Sequence, residues 1–252
     1  MRIFTASILS FIAANFLLAG CKIGYYRQAT AGQIDLWNRQ IPSATLLGQP
    51  ETEKGLRDRL LLAQELLAFA ENELHLEVGK NYHSYADLER DFVVWSVFAA
   101  PELDVEPIKW RFPVVGRLAY RGYFKQEDAN AFAEGLKGDG HDVAVVGVPA
   151  FSTLGWFRDP LLNTFLDWEE EDLAALLFHE LAHKTYYRSG DTEFSEAFAV
   201  AVEEAGVRQW LLTTYGQERL AKYDQDCEKS RAFIQLMLAA RKELEEAYLT
   251  LS

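Results

Sequence analysis

The stretch Phe178-His179-Glu180-Leu181-Ala182-His183 lies inside a run, Asp167 to Tyr187, where Leu173, Ala174, Leu176, Leu177, Leu181 and Ala182 recur at helical spacing. His-Glu-x-x-His on a helix puts both imidazoles on one face, one turn apart, where they can share a metal ion. Glu180 lies about 100° round the axis from His179, placed to hold and deprotonate a metal-bound water. In so apolar a run unpaired charge is costly, and a metal is the usual resolution. Asp167 is expected to cap this helix, with Glu170 three residues on in capping-box relation.

Catalytic zinc takes three protein ligands and keeps a position for water, so two histidines leave the site one short. Arg188-Ser189-Gly190-Asp191 reads as a turn, and a second helix starts near Thr192, offering Glu193, Glu196, Glu203 and Glu204. Periodicity sets Glu196 and Glu203 on the face of Ala199, Val200, Val207 and Trp210, while Glu204 turns towards Arg208 and solvent. Glu193 falls in the first turn, where a carboxylate suits the helix dipole. Glu196 is the expected third ligand, because it stands near the start of a helix that folds back after a short turn. Glu203 has three readings: a hydrogen bond to a zinc ligand, a receptor for a substrate α-ammonium, or a partly exposed helix carboxylate. Tyr120, Tyr123, Tyr186 and Tyr187 are possible donors to a reaction oxyanion.

Upstream, Phe151-Ser152-Thr153-Leu154-Gly155-Trp156-Phe157 is extended-looking and apolar. Ser152, Thr153 and Gly155 belong either to an edge strand that pairs with substrate backbone or to a core-packed connection. Before it, Phe92 to Ala99, Ile108 to Phe112, Val114 to Phe124 and Val143 to Val148 read as strands, with a short helix over Gln126 to Leu136. Tyr25 to Ile41 and Glu53 to Leu76 read as helices, as do Phe194 to Leu212 and Gln217 to Leu249. The expected architecture is α+β and zincin-like. A mixed or antiparallel sheet over 91–150 lies between a mainly helical 21–90 and a helical 160–252 that carries the metal site.

Residues 1–20 read as an export signal: Arg2 is basic, Ile3 to Leu18 are mostly apolar, and Leu18-Ala19-Gly20-Cys21 follows. That ending reads as a bacterial lipobox with Cys21 lipidated, the alternative being a plain signal peptide. Lys22 after the cysteine points to the outer membrane, giving a lipoprotein of the cell envelope that faces the periplasm and meets the membrane only through its lipid. Residues 21–252 are then one domain, with Cys227 as its single thiol and no disulfide framework. A formal charge of −13 over 252 residues excludes a nucleic-acid partner and a basic membrane-docking face.

Six stretches together carry a resemblance: Cys21 with Gly24-Tyr25-Tyr26; Val94-Trp95-Ser96-Val97-Phe98-Ala99-Ala100-Pro101-Glu102-Leu103; Tyr120-Arg121-Gly122-Tyr123-Phe124; Val148-Pro149-Ala150 through Phe157; Phe178 to His183; and Phe194-Ser195-Glu196-Ala197-Phe198-Ala199. The chain resembles the zinc aminopeptidase family of bacterial lipoproteins over nearly its whole mature length. The resemblance implies one zinc ion on His179, His183 and Glu196, with Glu180 as catalytic carboxylate and a peptide as substrate. Related enzymes with a glutamate third ligand often carry Asn before it, where this chain has Ser195. Two other functions stay open: a zinc endopeptidase of the envelope, and a non-catalytic zinc-stabilised lipoprotein that binds a partner. Retention of Glu180 speaks against the last, since a structural site needs no general base.

Overall fold

The structure, a computed structural model, describes residues 24–112, 116–150, 158–188 and 190–251. The signal-like segment 1–20 with Cys21 and Lys22, and the segment carrying Ser152, Thr153 and Gly155, lie outside the described residues.

The fold is α+β, with long helices and small sheets. In chain order come α1 (24–38), β1 (Ile41–Pro42), α2 (Ser43–Gly48), α3 (Lys54–Asn72), β2 (Ser84–Ala86) and β3 (Val94–Pro101). Then follow β4 (Trp110–Phe112), β5 (Gly116–Leu118), β6 (Arg121–Tyr123), α4 (Gln126–Gly138), β7 (His141–Val148) and β8 (Leu161–Leu162). The chain continues through α5 (Asn163–Leu166), α6 (Glu170–Thr185), α7 (Thr192–Thr214) and α8 (Gln217–Leu251). No helix among the described residues is long and apolar enough to cross a membrane.

The larger core forms where the leucine face of α3 meets α6 and α7. Leu60, Leu66, Leu173, Leu177, Leu181 and Leu211 are fully buried there. Phe69 of α3 stacks on Phe178, the residue just before His179, with ring centroids 6.0 Å apart. Gly206 of α7 makes the close approach possible: a Cβ there would stand 2.7 Å from Leu74 Cδ1 and 2.9 Å from the Phe178 ring. The metal-motif helix is therefore held rigidly from behind, which lets its opposite face carry polar groups.

A smaller core lies between α4 and the antiparallel sheet β6-β3-β7, with Val97, Tyr123, Ala129 and Ala133 at its centre. Arg121 ties α1 to this sheet, its guanidinium 4.1 Å from the Tyr25 ring centroid and 4.5 Å from that of Phe132. The middle of the chain is thus antiparallel. The mixed sheet is elsewhere: β1-β2-β8 pairs β1 antiparallel and β8 parallel to β2.

Three expectations need correction. The strand expected over Val114 to Phe124 is two: β5 pairs with β4 as a hairpin, while β6 pairs with β3. Along the chain Ser43 to Thr52 reads as a turn-rich link and Gly79 to Ala86 as loop, yet they contain α2 and β2. Strands of two or three residues show no period, and only their partners across the fold select them. Finally, Asp167 does not cap the metal-motif helix. It follows α5, whose turn closes through Trp168 N–H donating to Phe165 C=O, and α6 begins at Glu170. Three carboxylates, Glu170, Glu171 and Asp172, occupy the first turn of α6 and meet its dipole in place of a cap. Arg219 of α8 grips Glu171 through both carboxylate oxygens at 2.7 and 3.0 Å.

Candidate metal centre

His179 and His183 face the groove between α6 and α7. Their rings stand edge-to-face, centroids 4.7 Å apart, with the two Nε2 atoms 3.1 Å from each other. Glu196, in the second turn of α7, brings Oε2 to 3.4 Å from each of those nitrogens. Among the described residues, these three are the group of His, Cys, Asp and Glu whose donor atoms converge. The arrangement fits an ion: donors about 2.0–2.1 Å from a tetrahedral zinc stand about 3.3 Å from one another. The observed edges are 3.1, 3.4 and 3.4 Å. Two facing imidazole nitrogens beside a carboxylate need a cation between them, whether protons or a metal. His183 sharpens the point, because its side chain is only 3 % exposed and its Nδ1 has no hydrogen-bond partner among the described residues.

The electrostatics split the pair. The hydrogen bond that Glu203 accepts from His179 pushes the His179 pKa up against the effect of burial, helped by the charges of Glu180 and Glu196. Burial holds that of His183 down. Glu203 Oε2 lies 2.9 Å from His179 Nδ1, the nitrogen turned away from the site. Of the three readings for Glu203, the hydrogen bond to His179 is the one its Oε2 makes.

Placement of Glu196 depends on the turn between the helices. Asp191 caps α7, its Oδ1 accepting from Phe194 N–H, and Gly190 takes φ +86°, a conformation costly for other residues. Ser195 closes the turn from inside. Fully buried, its Oγ accepts from Arg188 N–H at 3.1 Å and donates to Asp191 C=O at 3.0 Å. The residue that departs from the Asn of related enzymes therefore has a structural task. Sequence reading noted the departure but not the task, since nothing local shows which backbone groups Ser195 will meet.

Glu180 lines a cleft of about 630 Å³ with His179, Glu203, Asp172, Glu169 and Trp168. A larger cleft of about 1000 Å³ between α6, α7 and α8 shares Glu169, Asp172 and Glu203 but does not reach the histidine pair. The smaller one holds the chemistry. Burial, with the charges of Glu171, Glu169 and Asp226, pushes the Asp172 carboxyl up, as expected for one of several carboxyls lining that cleft. Asp172 and Trp168 were not foreseen as lining it. Tyr82, outside that lining, is a buried residue at φ +63° whose phenol is raised well above its ordinary value by burial and by the charges of Glu180 and Asp159.

The tyrosines separate. Tyr123 packs in the smaller core and is no part of the site. Tyr186 is half exposed against Phe194 and Phe198, and the Tyr187 ring stands 6.0 Å from that of His183. Tyr120 packs against Phe98 of β3, and burial, with the Glu196 charge, pushes its hydroxyl pKa up. Glu204 turns away to Arg208 and Arg231, as its helical angle implies. Glu193 is outside the converging group.

A family model described as "Putative aminopeptidase" matches residues 24–251, so the chain belongs to that family, a family of peptidases. Comparison with curated proteins and with solved structures finds no match.

Proposed function

We propose that this member of the aminopeptidase family is a zinc-dependent aminopeptidase, with one zinc ion on His179, His183 and Glu196 and Glu180 as general base. The observation that carries the reading is the convergence of three donor atoms at 3.1–3.4 Å beside a cleft containing Glu180. Zinc bound there supplies a Lewis acid that polarises a peptide carbonyl and makes water acidic enough to ionise near neutral pH. The chain's own residues do the rest. Glu180 takes the proton from the attacking water on its carboxylate and returns it to the leaving amine nitrogen. Tyr187, whose ring stands 6.0 Å from that of His183, or Tyr120, which feels the Glu196 charge, donates to the developing oxyanion.

Selection for a free amino terminus rests on charge. The cleft holding His179 and Glu180 is lined by Glu169, Asp172 and Glu203, with no Lys or Arg among the described residues that line it. Its field draws an α-ammonium in and disfavours an acidic side chain. Attachment to the cell envelope through lipid on Cys21, and pairing of substrate backbone with Ser152 to Trp156, belong to the same proposal.

The test is purified protein, its zinc content measured, assayed as wild type and Glu180→Gln on aminoacyl substrates and on amino-blocked, internally quenched peptides. Both forms are expected to hold one zinc, with turnover of the variant lower by about 10²–10⁴-fold. Equal turnover at full zinc occupancy would overturn the enzyme reading and leave a zinc-stabilised binding protein. Cleavage of blocked peptides alone would make it an endopeptidase.

A further inference from the structure

We propose that Glu203 is the positioning residue of this metal centre, holding His179 in the one tautomer and orientation that present its Nε2 beside His183 and Glu196. The inference rests on the zinc reading above.

The geometry comes from α7. Glu196 and Glu203 are seven residues apart, nearly two turns, so their side chains leave one helix face about 10 Å apart along the axis. They close on the same imidazole from its two ends. Glu196 Oε2 stands 3.4 Å from His179 Nε2, and Glu203 Oε2 stands 2.9 Å from His179 Nδ1. An ionised carboxylate only accepts hydrogen bonds, so the contact with Glu203 requires the proton to be on Nδ1. The Nε2 lone pair is then free for a metal. The same bond fixes the ring plane and makes Nε2 a better donor.

Glu203 carries this role because nothing else does. His183, the other imidazole, has an Nδ1 without a partner among the described residues, so it has no matching carboxylate behind it. His183 is instead held by packing, at 3 % side-chain exposure, whereas His179 is 20 % exposed and freer to turn. The neighbouring Glu204 is bound to Arg208 and Arg231 and cannot substitute. Positioning of the centre is therefore asymmetric: a hydrogen bond for one histidine, close packing for the other.

The experiment measures metal affinity rather than turnover. Zinc binding to the full chain is titrated against a chromophoric chelator for wild type, Glu203→Ala, Glu203→Gln and Glu204→Ala. The spectrum of the Co²⁺-substituted forms and imidazole nitrogen NMR are recorded beside it. Glu203→Ala is expected to weaken zinc by about 10–100-fold, to alter the cobalt spectrum and to move the His179 Nδ1 resonance. Glu203→Gln keeps an acceptor for Nδ1–H and should recover part of the affinity while losing the charge. Its near-identical shape also covers the case in which the alanine variant fails to fold. Glu204→Ala should bind like wild type. Wild-type zinc affinity and an unmoved nitrogen resonance in both Glu203 variants would overturn the positioning role alone. Failure of the wild type itself to bind zinc would overturn the metal site on which it rests.

Discussion

Replacing Glu196 by Ala tests most directly whether two helices make one site. The side chain is 53 % exposed, and its contacts are the two Nε2 atoms at 3.4 Å. Without metal, then, the substitution resembles a surface change and should alter folding stability by no more than about 0.5 kcal/mol. With zinc the outcome should be very different. A four-ligand zinc site supplies on the order of 10–16 kcal/mol, so one protein ligand is worth about 3 kcal/mol. At 1.4 kcal/mol per decade, that is a loss of about 100-fold in affinity. Calorimetric or chelator-competition titration of wild type, Glu196→Ala and Glu193→Ala separates the effects. Glu193 stands in the first turn of the same helix, outside the converging group, and its loss should leave zinc affinity unchanged. Thermal unfolding without metal should be alike in all three proteins. If Glu196→Ala binds one zinc within threefold of wild type, the third donor lies elsewhere and the reasoning from convergence fails.

Two further outcomes follow from the scaffold. Ser195→Ala removes two hydrogen bonds inside the turn. It should cost about 1–3 kcal/mol, read as a fall in melting temperature of roughly 3–8 °C, and a melting curve like that of wild type would dismiss Ser195 as the closure. The hydrogen bonds from Arg219 hold the Glu171 carboxyl below its ordinary pKa of 4.5. A depressed folded pKa means that the unfolded chain binds more protons. The stabilisation is therefore complete above about pH 4.5 and is lost as pH falls through the folded value. Arg219→Met should accordingly lower the melting temperature near neutral pH, with the gap to wild type narrowing below that point. A constant gap down to pH 2–3 would show that Arg219 acts through packing alone.

Much of the candidate site could be read along the chain because a helix converts spacing into direction. His179 and His183 had to share a face whatever surrounded them, since four residues complete about one turn. Glu196 was reachable from its place near the start of a helix that folds back after a short turn, not from burial, since its side chain is 53 % exposed and Val200 on the same face is exposed as well. The long elements α3, α4, α6, α7 and α8 were likewise visible through their repeating apolar positions. The pieces that escaped are short or non-periodic: α2, β1, β2, β8 and the start of α6 are set by pairing and capping across the fold.

The sequence by itself determined the motif, its face and the set of carboxylates from which a third donor must come. Tertiary structure decided which carboxylate does what. Glu196 and Glu203 share one helical face and one chemistry, and α7 alone gives the distance of neither to an imidazole. They differ because α6 crosses α7 where Gly206 admits the Phe178 ring and Leu181 fills the core, and that crossing sets His179 between them. One carboxylate consequently meets Nε2 and the other Nδ1. Helical periodicity specifies a direction from its own axis, but a contact needs the distance and angle of a second axis, which side-chain packing alone supplies.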